Sequence, residues 1–127
     1  IEDQSPRING DGTHSRDFTY VENVIHANDL ALFTENKDAL NQVYNVACGD
    51  QVTLNEMVDM LCQITGKDIQ PVYGPERIGD VKHSNADITK IRTKLGYEPK
   101  VKMYEGMKKV YEWNKKVYEE RQAEIHT

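Results

Sequence analysis

Apolar residues recur at helical spacing in several stretches of the chain. The clearest opens at Thr53-Leu54-Asn55-Glu56, which fits a capping box: the Thr hydroxyl serves a backbone N–H and the Glu reaches back. Leu54, Met57, Val58, Leu61 and Ile64 then form one stripe, and Gly66 fits a left-handed C-terminal cap. Val24, Ala27, Leu30 and Ala31 predict a helix from Asn23 to about Phe33. Asp87 can cap a helix through Leu95, with Ile88, Ile91 and Leu95 on one face and Gly96 after it. A final helix runs from about Met103 into the 120s, lining up Met107, Val110, Tyr111 and Val117. Between these lie short runs with strand character: Pro6 to Asn9, Asp17 to Val21, Gln42 to Ala47, and Ile69 to Tyr73. The first two flank a turn-rich stretch, Gly10 to Ser15, and together predict a hairpin with a wide loop. Strands mixed with helices predict an α/β or α+β layered domain. The polar run from Tyr118 to Thr127 is expected to fray as a tail behind a lobe of residues 1–117.

Composition adjusts this picture. The chain has 127 residues, which suits one ordinary domain rather than two. Hydrophobic residues make up 38% and mean hydropathy is −0.73, so the core is expected to be modest. No stretch approaches the roughly 18 apolar residues of a membrane span. With no apolar leader stretch near Ile1, the reading is a soluble, cytoplasmic protein. A net charge of −5 argues against a general nucleic-acid binder, because phosphate backbones call for a basic surface. The chain opens at Ile1 rather than Met, which fits a piece of a longer protein. Cys48 and Cys62 form no C-x-x-C pair, and His14, His26, His83 and His126 lack metal-ligand spacing, so no metal site is expected.

Several patterns bear on chemistry. Gly10-x-Gly12-x-x-Ser15 is one residue short of a dinucleotide fingerprint, but such a fingerprint must open a helix, and a strand-like segment follows here. Tyr104 with Lys108 and Tyr111 with Lys115 match Tyr-x-x-x-Lys, in which lysine lowers the tyrosine pKa for proton transfer. Both pairs sit on the C-terminal amphipathic helix as ordinary i,i+4 neighbours, and neither is read as catalytic. Arg16, beside the glycine-rich turn, and Arg77, in Pro75-Glu76-Arg77-Ile78-Gly79-Asp80, are better candidates. A guanidinium on a loop can meet phosphate oxygens bidentately. The plainer alternative is a solvated arginine, or one paired with Asp17 or Asp80.

Four segments in order carry a resemblance. The run from Gly10 to Val24, GDGTHSRDFTYVENV, resembles the "GDG…RDF-YV-DV" segment of the NAD-dependent epimerase/dehydratase family, the extended short-chain dehydrogenases that act on nucleotide sugars. Tyr44 to Gly49 resembles its "YN-G-G" turn, Gly79 to Ile88 its "GDV-HS-AD" segment, and Leu95 to Pro99 its "LG-P" exit. In texture the chain is most similar to the bacterial UDP-N-acetylglucosamine 4-epimerases of polysaccharide gene clusters. The resemblance implies the small substrate-binding lobe of an extended enzyme whose Rossmann half is missing. It implies that Arg16 and Arg77 clamp the diphosphate of a UDP-sugar and that Asp80 accepts from the ribose. His83 and Ser84 would orient their loop, Asn45 and Gly49 would be structural, and Phe18 would belong to the core unless it lies near the ligand.

By the same resemblance the parent enzyme uses NAD: a tyrosine starts hydride transfer from the sugar C4, and the keto intermediate re-accepts hydride on its other face. Neither the glycine-rich NAD motif nor that tyrosine is recognisable here, so the lobe is expected to hold no cofactor, to contain no catalytic residue and to be inert alone. Its partners would be a UDP-sugar and the missing N-terminal half. A stand-alone sugar-nucleotide-binding domain, a self-associating piece exposing the Val24–Phe33 helix, or part of a dehydratase or decarboxylase are the alternatives.

Overall fold

The computed structural model describes residues 1–125. His126 and Thr127, the end of the polar tail, lie outside the described residues. The elements are β1 (Arg7–Asn9), β2 (Ser15–Arg16), α1 (Val21–Phe33), a 3-10 turn (Lys37–Ala39), β3 (Val52–Thr53), α2 (Leu54–Thr65), β4 (Val72–Gly74), α3 (Thr89–Leu95) and α4 (Met103–Ile125). The molecule is mixed α/β, as the alternation of patterns predicts, with two small two-stranded sheets. No helix among the described residues is long and apolar enough to cross a membrane.

The strands pair across long stretches of chain. β1 runs parallel to β4, with Ile8 opposite Tyr73, and β2 runs antiparallel to β3, with Arg16 opposite Val52. The predicted hairpin is therefore absent: β1 and β2 belong to different sheets. The strand expected at Asp17 to Val21 is replaced by β2, α1 and the irregular residues 17–20 between them. Asp17 spends its carboxylate on the backbone N–H groups of Cys48 and Gly49, both at 2.9 Å. Phe18 and Tyr20 point their rings into a groove against α2 and α4 instead of joining a ladder. Residues 42–47 are likewise no strand. Side chains hold them: the Tyr44 hydroxyl donates to Ala39 O at 2.8 Å, Asn45 Nδ2 to Asp87 O at 3.3 Å, and the Tyr97 hydroxyl to Ala47 O at 2.9 Å.

The helices follow their patterns. Thr53 Oγ1 accepts from Glu56 N at 3.1 Å while Glu56 Oε2 accepts from Thr53 N at 2.7 Å, and Gly66 closes α2 with φ +69°. Asp87 Oδ1 accepts from Thr89 N at 2.8 Å at the start of α3, and Gly96 ends it in the left-handed region. The core gathers Ala27, Ala39, Ala47, Ile88, Ile91, Leu95 and Tyr97. Beside it Asn23, fully buried, uses its whole amide. Its Oδ1 accepts from Lys100 N and Val101 N, and its Nδ2 donates to Val101 O and toward Cys48 Sγ. One side chain thus ties α1 to the entrance of α4.

Candidate functional site

The site is built where β2 meets the loop after β4. The glycine-rich turn delivers β2. Gly10 N donates to Gly74 O at 3.0 Å, anchoring the turn to the end of β4. Gly12 sits at φ +78°, and a Cβ there would lie 1.9 Å from Asn55 Oδ1, so a side chain would need both a left-handed backbone and a displaced Asn55. That oxygen also accepts from the Tyr73 hydroxyl at 2.8 Å. Asp11 takes the Thr13 hydroxyl and backbone N–H, and these bonds hold its carboxyl below the usual carboxylate range. The turn leads into strand β2 rather than a helix N-terminus. The described residues therefore give this glycine run no cradle for a dinucleotide pyrophosphate.

The second arm is a tight turn. Asp80 N donates to Arg77 O at 3.1 Å across Ile78 and Gly79, and Gly79 sits at φ +82°. A positive φ at the third position is what a type II turn requires, so R-I-G-D places Arg77 and Asp80 at the two ends of one turn. The chain then returns alongside β2. Ser15 N donates to Lys82 O at 2.9 Å and Ser84 N to Ser15 O at 3.1 Å, forming a parallel bridge between Ser15 and His83.

These two arms bring Arg16 and Asp80 together. Arg16 Nη2 donates to Asp80 Oδ1 at 2.5 Å, while Nη1 donates to Ser15 O at 2.8 Å and to Lys82 O at 3.3 Å. The plainer alternative of an Arg16–Asp80 pair is thus present, and Asp17 is engaged elsewhere. The ion pair is a third exposed, so water screens it and its intrinsic contribution to stability is small. Arg77 is exposed, with no hydrogen bond or ion pair for its guanidinium among the described residues. The result is an open edge carrying two guanidinium groups and one carboxylate on short, backbone-tied segments. Such an edge can bind an anion and accept from hydroxyls.

The remaining candidates separate from this edge. Phe18 lines an apolar groove of about 330 Å3 with Tyr20, Met57, Leu61 and Met107. Asn45 and Gly49 hold the loop over α3, the latter beside Ile88. Burial, and then the Asp17 carboxylate, push the Cys48 thiol up, which leaves it a protonated, inert side chain. Tyr104, Lys108, Tyr111 and Lys115 lie on α4, where Lys115 faces Glu119 at 3.9 Å. No cluster of His, Cys, Asp and Glu suits a metal ion among the described residues. Sequence reasoning missed Ser15, whose backbone joins both arms, and Asp17, whose carboxylate fixes the turn at Cys48; only their place beside Arg16 hinted at either.

Comparison with known proteins gives a consistent set of relatives. The family described as GDP-mannose 4,6 dehydratase matches residues 2–110. The UDP-glucose 4-epimerase of Thermotoga maritima, solved with UDP-glucose, superposes with a TM-score of 0.82 at 41% identity, over 91% of this chain and 36% of that one. The UDP-glucuronic acid 4-epimerase of Bacillus cereus, solved with UDP-glucuronic acid and NAD, gives 0.84 at 34% identity, over 92% and 37%. A UDP-N-acetylglucosamine 4-epimerase of Methanobrevibacter ruminantium, solved with UDP-N-acetylmuramic acid, gives 0.70 at 36%, over 84% and 32%. The chain spans about a third of the length of the curated relatives it matches.

Proposed function

The chain belongs to the NAD-dependent epimerase/dehydratase family, and on that premise we propose that it is the nucleotide-sugar-binding part of a UDP-sugar 4-epimerase. The observation that carries the reading is the meeting of Arg16 and Asp80 at one end of a turn that holds Arg77 at the other. A nucleoside diphosphate offers what this edge lacks: oxygens for two guanidinium groups and ribose hydroxyls that donate to a carboxylate. On binding, the diphosphate competes with Asp80 for Arg16, and the ribose takes over Asp80. We take residues 1–117 as the binding lobe; the polar stretch from Tyr118, expected to fray, continues α4 as helix to Ile125.

UDP-N-acetylglucosamine is the substrate this reading favours, on the texture of the four matching segments. UDP-glucose and UDP-glucuronate epimerases are comparably similar, so the hexose is the finest part of the proposal. In the whole enzyme NAD would accept and return a hydride at the sugar C4. The cradle for it and the proton-transferring tyrosine would come from the part of the relatives that this chain does not match. Alone, the lobe would bind UDP feebly and catalyse nothing. Two charge-assisted contacts at about 1.5–3 kcal/mol each must offset ordering and association costs.

Amide NMR during a UDP titration tests the binding role: shifts at Arg16, Arg77 and Asp80 are expected at millimolar ligand, and their absence counts against it. Joining the lobe to its N-terminal half and assaying C4 inversion on the three UDP-sugars tests the activity. Inversion of none of them, with release of water or carbon dioxide instead, would favour a dehydratase or decarboxylase. A second reading rests on α1, whose Val21, Ile25, Leu32 and Phe33 are all more than half exposed. That apolar face would drive self-association of the lobe, and light scattering from a strict monomer at high concentration would dismiss it.

A further inference from the structure

The nucleotide-binding reading needs the Arg77–Asp80 turn held in one register against β2, and the backbone alone holds it weakly. The contact between Ser15 and residues 82–84 is one bridge long, with two backbone hydrogen bonds and no ladder continuing on either side. A slip of one residue would move Asp80 by about 3.3 Å along the strand and turn alternate side chains to the other face. That displacement exceeds the 2.5 Å contact through which Asp80 reaches Arg16.

Beside the Arg16 contacts to Lys82 O and Asp80, one further side-chain bond, to the buried Ser15, opposes the slip. Ser15 Oγ and His83 Nδ1 are hydrogen-bonded at 2.8 Å, directly across the bridge. Ser15 is only 4% exposed, so its hydroxyl loses water and depends on this partner. With the ring neutral and its proton on Nε2, the hydroxyl donates to Nδ1. We propose that His83, through Ser15, is a positioning residue that fixes the register of the Arg77–Asp80 turn for binding a nucleoside diphosphate. This goes beyond the proposed function but rests on it for the identity of the ligand. The pair also has the separation of a nucleophile and its base, yet the burial of Ser15 keeps it from a substrate, and no carboxylate orients the ring among the described residues.

The test combines UDP titration with amide hydrogen exchange in this chain. His83→Ala and Ser15→Ala should each weaken UDP binding about three- to tenfold, the range of one lost hydrogen bond. The double variant should be no weaker than either single one, because both remove the same bond. His83→Asn, whose Oδ1 can take the place of Nδ1, should restore binding. Without ligand, the Ser84 amide should exchange faster in His83→Ala and recover in His83→Asn, with α2 amides unchanged in both. Normal UDP affinity in His83→Ala, additive loss in the double variant, or no recovery in His83→Asn overturns the inference. Should the wild-type chain ignore UDP, the functional reading fails, and Ser84 exchange still decides whether His83 sets the register.

Discussion

Arg16 cannot give the same N–H to Asp80 and to a phosphate oxygen, so Asp80 both serves and competes with the proposed ligand. The two roles separate by choice of ligand. Asp80→Asn should bind pyrophosphate more tightly than the wild type, since Arg16 is released. The same variant should bind UDP no better or worse, since the ribose loses a charged acceptor. Calorimetry with both ligands checks this, and parallel changes for the two would mean that Asp80 does not meet the ribose. Glycines offer a second contrast. At Gly12 an added methyl meets Asn55 Oδ1, whereas at Gly79 it meets nothing within 4 Å and the cost comes from φ +82° alone. Gly12→Ala should therefore lower the melting temperature clearly. Gly79→Ala, at about 1 kcal/mol, should act mainly on UDP affinity by depopulating the turn.

Among the elements, α2 was the most legible because its cap, stripe and terminator all lie within one short stretch of chain. Thr53→Ala removes the acceptor for Glu56 N and should cost about 1 kcal/mol in urea unfolding. Hydrogen bonds from Thr53 backbone and hydroxyl hold the Glu56 carboxyl below its ordinary 4.5. A carboxyl depressed in the folded state contributes stability that is present above 4.5 and lost as pH falls through its folded value. Glu56→Gln should flatten that part of the acid unfolding profile, and an unchanged profile would assign the acid sensitivity elsewhere. The failures share a cause. Asp17 to Val21 and Gln42 to Ala47 have strand composition, but composition names no partner. Here Asp17, Tyr44, Asn45 and Tyr97 supply through side chains the bonds a neighbouring strand would have supplied. The candidate site divides likewise: Arg16 and Arg77 stand out by residue type and loop position, and Asp80 by the family resemblance. By resemblance His83 is expected to orient its loop, but its pairing with Ser15 joins residues far apart in the chain, and that partner left no local trace.

At the scale of the molecule, Asn23 is the residue on which the arrangement of α1 and α4 depends. Asn23→Ala would leave the buried N–H of Val101 without an acceptor and its C=O with only the Cys48 thiol at 3.7 Å, so a loss of about 2–4 kcal/mol is expected in chemical denaturation. A loss below about 1 kcal/mol would mean that water replaces the amide. The sequence separation of that contact also has a kinetic meaning. Asn23 meets Val101 across 78 positions, Arg16 meets Asp80 across 64, and Ser15 meets His83 across 68. Closing such loops costs chain entropy before any contact repays it, whereas α2 closes its own. The long closures should therefore form after the folding barrier. In a denaturant chevron Asn23→Ala should raise the unfolding limb with little change in the folding limb, and a slowed folding limb would put the closure in the barrier itself. On that schedule the proposed nucleotide edge is among the last parts of the molecule to assemble in time and among the first to come apart.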